Sequence, residues 1–290
     1  MSPAPLLLVV AAAFIHATWN LLSKQAATAG PAFVFAYNLV ACTAYAPWVA
    51  WHLAEGTQTW SWPIAGCILL SGLIHLTYSL CLQRGYQVAD LSVVYPVARG
   101  TGPMLSSLGA FLLLGEPPSL HGLLGLAAVV VGIALIATRG DVTAFRRPSG
   151  QAGVRWGGAT GSLIASYTVV DGFGVKSLGI QPVILDWFCN VLRFFLLAPV
   201  VLRNLGRARD LMRGHWLRAV GVGLLSPLSY ILVLSALDMG APLSVVAPVR
   251  EMSMMIGAVF GIVFLRETVG GWRLTGCLVL IGGVVLLGAS

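Results

Sequence analysis

Ten stretches of about 20 mostly apolar residues follow one another along this chain: roughly 4–23, 32–54, 62–83, 92–115, 121–138, 156–175, 182–202, 216–237, 243–265 and 271–289. A helix needs about that many residues to cross the ~30 Å hydrocarbon core of a bilayer. A backbone in hydrocarbon must also satisfy its own hydrogen bonds, which a helix does. The expected fold class is therefore all-α integral membrane, with ten transmembrane helices. Composition agrees. Only 9% of the residues are charged and the mean hydropathy is +0.88, against roughly a quarter charged in a soluble domain. Too few polar side chains remain to coat a water-facing surface.

Charge and cysteine usage exclude other classes. The net charge of +7 does not point to nucleic acid, because the basic residues are not gathered on a soluble domain with stacking aromatics. The five cysteines (Cys42, Cys67, Cys81, Cys189 and Cys277) lie inside apolar segments with no CxxC spacing and read as small buried hydrophobes. The opening MSPAPLLLVVAAAF has no basic leader and continues into a full-length span, so a retained first helix is expected rather than a cleaved signal.

Most links between spans are short, so consecutive helices should be antiparallel neighbours; only 139–155 is long enough to be a linker. The first, third, fifth, seventh and ninth connections hold 13 of the Lys and Arg residues, whereas the opposite side holds Lys176 alone. Basic loops stay cytoplasmic. Both termini are therefore expected outside, with 139–155 a cytoplasmic linker.

The segment SVVYPVAR at 92–99 returns as SVVAPVRE at 244–251. At an offset of 152, Lys24 matches Lys176, Asn38 matches Asn190, Pro47 matches Pro199, Tyr78 matches Tyr230 and Pro96 matches Pro248; at 151, Arg99 matches Arg250, Glu116 matches Glu267, Gly125 matches Gly276 and Gly132 matches Gly283. Such a collinear series describes two copies of a five-helix unit, over 1–138 and 156–290. Because five is odd, the second copy enters the membrane upside down. Two inverted five-helix repeats place a substrate site near mid-depth and favour two alternating conformations.

Two five-helix units, a first helix carrying HATWNLLSK, and helices ending in LLLGEPPS and VFLRETVG resemble the EamA-type transporters of the drug/metabolite transporter superfamily, over essentially the whole chain. The resemblance implies a ten-helix secondary carrier of small metabolites, resident in a bacterial cytoplasmic (inner) membrane. Amino acids, nucleotide sugars and amphipathic compounds are among the family's cargo. The chain departs from the family in charge placement: many members look arranged with both termini cytoplasmic, whereas the basic loops here argue the reverse.

Ionisable groups inside spans are costly, about 2.5–3.5 kcal/mol each at mid-membrane on insertion scales, and so point to a polar chamber. Arg99 sits some seven residues, or roughly 10 Å, into its span, and Arg250 lies at similar depth from the opposite face. Each follows a proline that can kink its helix. These arginines are suited to a carboxylate or phosphate; the structural alternative is an ion pair of Arg250 with Asp186 or Asp171. Asp186, Asn190 and Arg193 are spaced four and three apart and share one helix face, though Asp186, near its span end, would also suit the outer interface. Asp171, in YTVVDGFGVK, would exchange protons and couple transport to a proton gradient; Glu251 and His16 are further candidates for that role. Trp19 and Asn20 sit close to His16, and the repeat mates Tyr78 and Tyr230 would line the cavity, with Tyr95 and Tyr167 as further hydroxyls. His75 reads more readily as a hydrogen-bonded packing residue. Trp48, Trp51, Trp60, Trp62, Trp156, Trp216 and Trp272 fall near span ends as interface belts, and Gly157/Gly161 and Gly257/Gly261 mark close helix contacts.

The leading expectation is a secondary active transporter of a small polar or zwitterionic, amino-acid-like metabolite, acting as a monomer or homodimer. Its partners are the small-molecule substrate and membrane lipid, without cofactor, metal or nucleic acid. A flippase for a lipid-linked or amphipathic compound is the alternative. A membrane enzyme or sensor is disfavoured, because no HExxH, GxSxG, Walker loop or Cys/His cluster is present.

Overall fold

The computed structural model describes residues 3–88, 91–138, 140, 141, 143, 148–256, 259 and 270–288, and all regular structure among them is helical. The helices are α1 (Pro3–Gln25), α2 (Gly30–Ala54), α3 (Trp62–Val88), α4 (Leu91–Leu113), α5 (Leu120–Thr138), α6 (Pro148–Lys176), α7 (Pro182–Leu202), α8 (Leu205–Met212), α9 (Trp216–Asp238), α10 (Leu243–Arg250) and α11 (Gly271–Gly288). Helices α1, α2, α3, α7 and α9 are long and apolar enough to cross a membrane, and shorter apolar helices cover Leu120–Ile136 and Leu274–Leu287. This is an all-helical integral membrane protein.

Two element boundaries differ from expectation. Among the described residues there are eleven helices of eight residues or more rather than ten, because the connection RNLGRARDLMRGH folds its own short helix, α8, which buries Met212. Residues 148–155, expected as linker, are the start of the 29-residue α6. Proline opens that helix, where its missing N–H costs nothing. Packing then carries the helix onward. A Cβ at Gly153 would lie 2.9 Å from Val93 Cβ, one at Gly157 2.7 Å from Val94 O, and one at Gly161 2.9 Å from Ala98 O. Spaced four apart, these glycines let α6 lie directly on α4. Gly257 and Gly261 lie outside the described residues, as does Glu267.

A second seam joins α5 to α11. A Cβ on Gly132 would meet Gly276 O at 2.8 Å, and one on Gly125 would meet Gly283 O at 2.9 Å. Small residues substitute here for a hydrophobic driving force that lipid does not provide. Tryptophans sit at the rims: Trp51, Trp60, Trp62, Trp216 and Trp272 are all more than half exposed.

The loops gather at two ends. At one, Gln181 N–H donates to Gln58 Oε1 at 3.0 Å, and Lys176 Nζ donates to Glu116 Oε1 at 2.8 Å. At the other, Arg218 Nε donates to Gln25 Oε1 at 3.1 Å, and Met212 packs with Ala26 and Ala29. At the first end Glu116 also caps α10. Its Oε1 accepts the Leu243 N–H at 2.6 Å, and its Oε2 accepts the Ser244 N–H and hydroxyl at 2.9 and 2.7 Å. Burial opposes the charge on Glu116, but Lys176 and these donors outweigh it, and the carboxyl lies below its ordinary value of 4.5.

Two outcomes follow. Gly132→Leu is expected to overpack the α5–α11 seam and cost on the order of 1–3 kcal/mol, read as a lowered melting temperature in detergent. Gly282→Ala, into open space, should not. Because the Glu116 carboxyl is depressed in the folded protein, its contribution is complete above the unfolded value and is lost as pH falls through the folded one. The melting-temperature gap between wild type and Glu116→Gln should therefore be flat above about pH 5 and narrow in more acidic buffer.

Candidate functional site

Helix α10 ends at Arg250, two residues after Pro248, and a helical run resumes at 252–256. Pro248 has no N–H to offer the Ser244 carbonyl four residues back. Ser107 of α4 supplies the missing donor, with its Oγ 3.2 Å from Ser244 O. Glu251 stands at the break, its N–H donated to Pro248 O at 3.0 Å. In α4, by contrast, the helix runs unbroken past Pro96; the side chains of Pro96 and Tyr95 lie outside the described ones.

The break places two charges in the protein interior. Glu251 is fully buried and Arg250 is 3% exposed. Arg99 reaches them from α4: its Nε lies 3.0 Å from Glu251 Oε2, and its Nη2 donates to Ser253 Oγ at 3.0 Å and to His16 Nε2 at 2.9 Å. An arginine can only donate, so Nε2 of His16 is the acceptor and the ring proton is on Nδ1. Arg250 Nε lies 3.8 Å from Glu251 Oε1 and has no hydrogen-bond partner among the described residues. One carboxylate thus faces two guanidiniums, a local surplus of one positive charge. The ion pair of Arg250 is with neighbouring Glu251, not with Asp186 or Asp171 as the structural alternative had it.

A second group forms around Asp171 on α6, 1% exposed. The Tyr230 hydroxyl donates to Asp171 Oδ2, and His75 Nε2 lies 3.9 Å from the same oxygen. Asp171 Oδ1 is buried and has no hydrogen-bond partner. His75 Nδ1 contacts the Ser71 carbonyl at 3.0 Å, and its ring stacks on Tyr167 with centroids 3.9 Å apart. Tyr230 meets His75 edge-on at 5.5 Å, and Tyr78 meets Tyr167 edge-on at 5.6 Å.

The third group is the α7 stripe. Asn190 Nδ2 donates to Asp186 Oδ2 at 2.8 Å, and Arg193 Nη2 donates to Asn190 Oδ1. The predicted shared face is present. Asp186 is only 7% exposed, so it does not meet the interface as its position near a span end suggested; α7 buries its first two turns in the core. Arg193 and Arg250 both lie within electrostatic reach of His75 and Asp171, which draws the three groups into one polar interior.

Two expected residues stand apart. Trp19 packs edge-on against His16 at 4.7 Å, with its Nε1 buried and unpartnered. No hydrogen bond among the described residues joins Asn20 to the cluster. Ser71, Ser107 and Ser253 were missed as participants; only Ser253, one turn past Arg250, had a positional cue. Asn38 is completely buried with both amide atoms unpartnered. It lies on α2 between Phe35, stacked on Phe194 at 4.7 Å, and Cys42, whose carbonyl accepts from Trp187 Nε1 at 2.8 Å. Its signal was its repeat mate, Asn190.

The model of the EamA-like transporter family matches twice, over residues 4–138 and 153–289. The chain belongs to that family. As an EamA-like chain it is a transporter rather than an enzyme. Multidrug resistance protein EbrB of Bacillus subtilis (strain 168) is 40% identical over 86 residues, 29% of this chain and 68% of the relative. Multidrug resistance protein Mmr of Mycobacterium tuberculosis (strain ATCC 25618 / H37Rv) is 28% identical over 106 residues, 36% of this chain and 96% of the relative. A crystal structure recorded only as that of a protein aligns over 99% of both chains with a TM-score of 0.77 at 17% identity, a likeness of fold alone.

In this EamA-like interior, removing Glu251 would strand two buried guanidiniums. Glu251→Gln is expected to cost about 3–5 kcal/mol, the usual result of breaking a buried pair, and to lower the melting temperature of the purified protein. Ser253→Ala, which removes one hydrogen-bond acceptor, should cost only about 1 kcal/mol.

Proposed function

We propose that this EamA-like protein is a secondary active transporter of a small zwitterionic, amino-acid-like metabolite, working by alternating access. The observation that carries the reading is the pair of unsatisfied groups in one interior. Arg250 is buried with its Nε unpartnered beside a single shared carboxylate, and Asp171 Oδ1 is buried with no donor. A zwitterion answers both: its acidic group joins Arg250 and Arg99, and its ammonium joins Asp171. Tyr78, Tyr167 and Tyr230 supply ring faces beside them, with Asn190 and Arg193 completing the polar wall. Asp171 is the coupling carboxylate, with Glu251, Asp186 and His16 around it.

The scaffold for this cycle is ten crossings arranged as two inverted five-helix repeats, 1–138 and 156–290. That reading is supported by the collinear residue matches and by the double match of the family model. The 13-to-1 bias of basic residues supports a bacterial inner-membrane protein with both termini outside, working as a monomer or homodimer.

A second reading, an amphipathic cargo, is favoured by an apolar cleft of about 320 Å³ between α3 and α6, lined by Cys67, Leu70, Val170 and Phe173, and by the printed names of the bacterial relatives. Proteoliposome uptake separates the two. For a zwitterion, Arg250→Gln and Asp171→Asn each lower uptake of labelled amino acids by at least about tenfold, the effect of 1.4 kcal/mol. Amino-acid uptake unchanged in both variants, with transport of a lipophilic cation intact, would replace the first reading by the second.

A further inference from the structure

Glu116 lies outside the polar interior, yet its carboxylate is the one group that joins three parts of the bundle. It belongs to the α4–α5 loop, pairs with Lys176 at the end of α6, and caps the first turn of α10 through Leu243 and Ser244. The elements it ties carry the charged groups. Asp171 is five residues before Lys176 on α6, and Arg250 closes the eight-residue α10. Lys176 adds a second tie, donating to Ala241 O at 3.3 Å just before α10 begins.

The surroundings fit a joint that opens. Gly115, with φ of +69°, turns the chain back so that the next residue faces α10, and Gly240, with φ of +87°, precedes α10 on the other side. A cavity of about 320 Å³ lies against the joint, bordered by Phe111, Pro117, Gly122 and Val245, so there is room for the loop and the first turn of α10 to separate. The opposite end of the bundle is tied through Gln25 and Arg218 instead, with Met212 packed on Ala26 and Ala29.

We infer that the Glu116–Lys176 clasp on the α10 N-terminus is the latch holding this end of the bundle shut, and that Glu116 is a positioning residue that must release α10 before Arg250 meets water from this side. The inference rests on membership of a transporter family, not on the identity of the cargo. A carboxylate whose charge is favoured by its partners is suited to a latch that yields to movement of the helices rather than to mild acid.

Arginine-directed labelling with phenylglyoxal, on the full chain in lipid nanodiscs and read by peptide mass spectrometry, tests this without any substrate. Lys176→Met and Glu116→Gln are expected to raise modification of Arg250 by about tenfold over wild type, equivalent to about 1.4 kcal/mol of lost closure. Lys176→Arg, which keeps the ion pair, should restore protection. Arg213, whose side chain is 85% exposed, should react equally in all four proteins. Arg250 protection unchanged in both clasp variants would overturn the latch. So would increased labelling accompanied by faster hydrogen exchange across the α5–α11 seam, since that is general loosening. If Glu116→Gln does not fold, Lys176→Met against Lys176→Arg decides the matter.

Discussion

Hydrocarbon offers no water to an unpaired polar group, and each such group left alone costs several kcal/mol. This constraint shapes the molecule at every scale. It makes the regular structure helical. It also governs the places where helices are interrupted. Pro248 leaves the Ser244 carbonyl without its intrahelical donor, and the Ser107 hydroxyl arrives from α4 to supply one. The first amides of α10 have no carbonyls to meet, and Glu116 arrives from another loop to accept them.

The same constraint divides the helix contacts into two kinds. Where α4 meets α6 and α5 meets α11, glycines remove side chains so that backbones touch and dispersion replaces the missing hydrophobic drive. Where α1, α4 and the α10 region meet, and where α3, α6 and α9 meet, charged and aromatic groups face one another instead. The dry seams hold the bundle together, and the polar junctions concentrate everything able to recognise a charged molecule.

Those junctions are incompletely satisfied, and that is their functional content. A fully paired ion cluster is a structural staple. A carboxylate shared by two arginines, beside a second buried carboxylate with a free oxygen, leaves both a positive and a negative demand unmet. A membrane interior tolerates such a state because the groups are clustered and a mobile ligand can complete them. The clasp at one end of the bundle shows the opposite condition, with nearly every capacity of one carboxylate taken up.

The membrane class, most helix positions and the list of buried charges were legible in the residues, because apolar length and the cost of charge in lipid are local properties. Asp186, Asn190 and Arg193 fell on one face by spacing alone. Pairing was not legible. Arg250 was as plausible opposite Asp186 or Asp171 as beside Glu251, and only the approach of α4 to the α10 break decided that one carboxylate serves two arginines. The phrase SVV-x-P-V occurs twice, yet α4 continues through its copy and α10 stops after its own. Proline sets the same local deficit in both. What happens next depends on which neighbour brings a donor, and that is a property of the assembled bundle. Likewise, a helical start at Pro148 and a buried Asp186 come from packing partners far away in the chain, which no local pattern encodes.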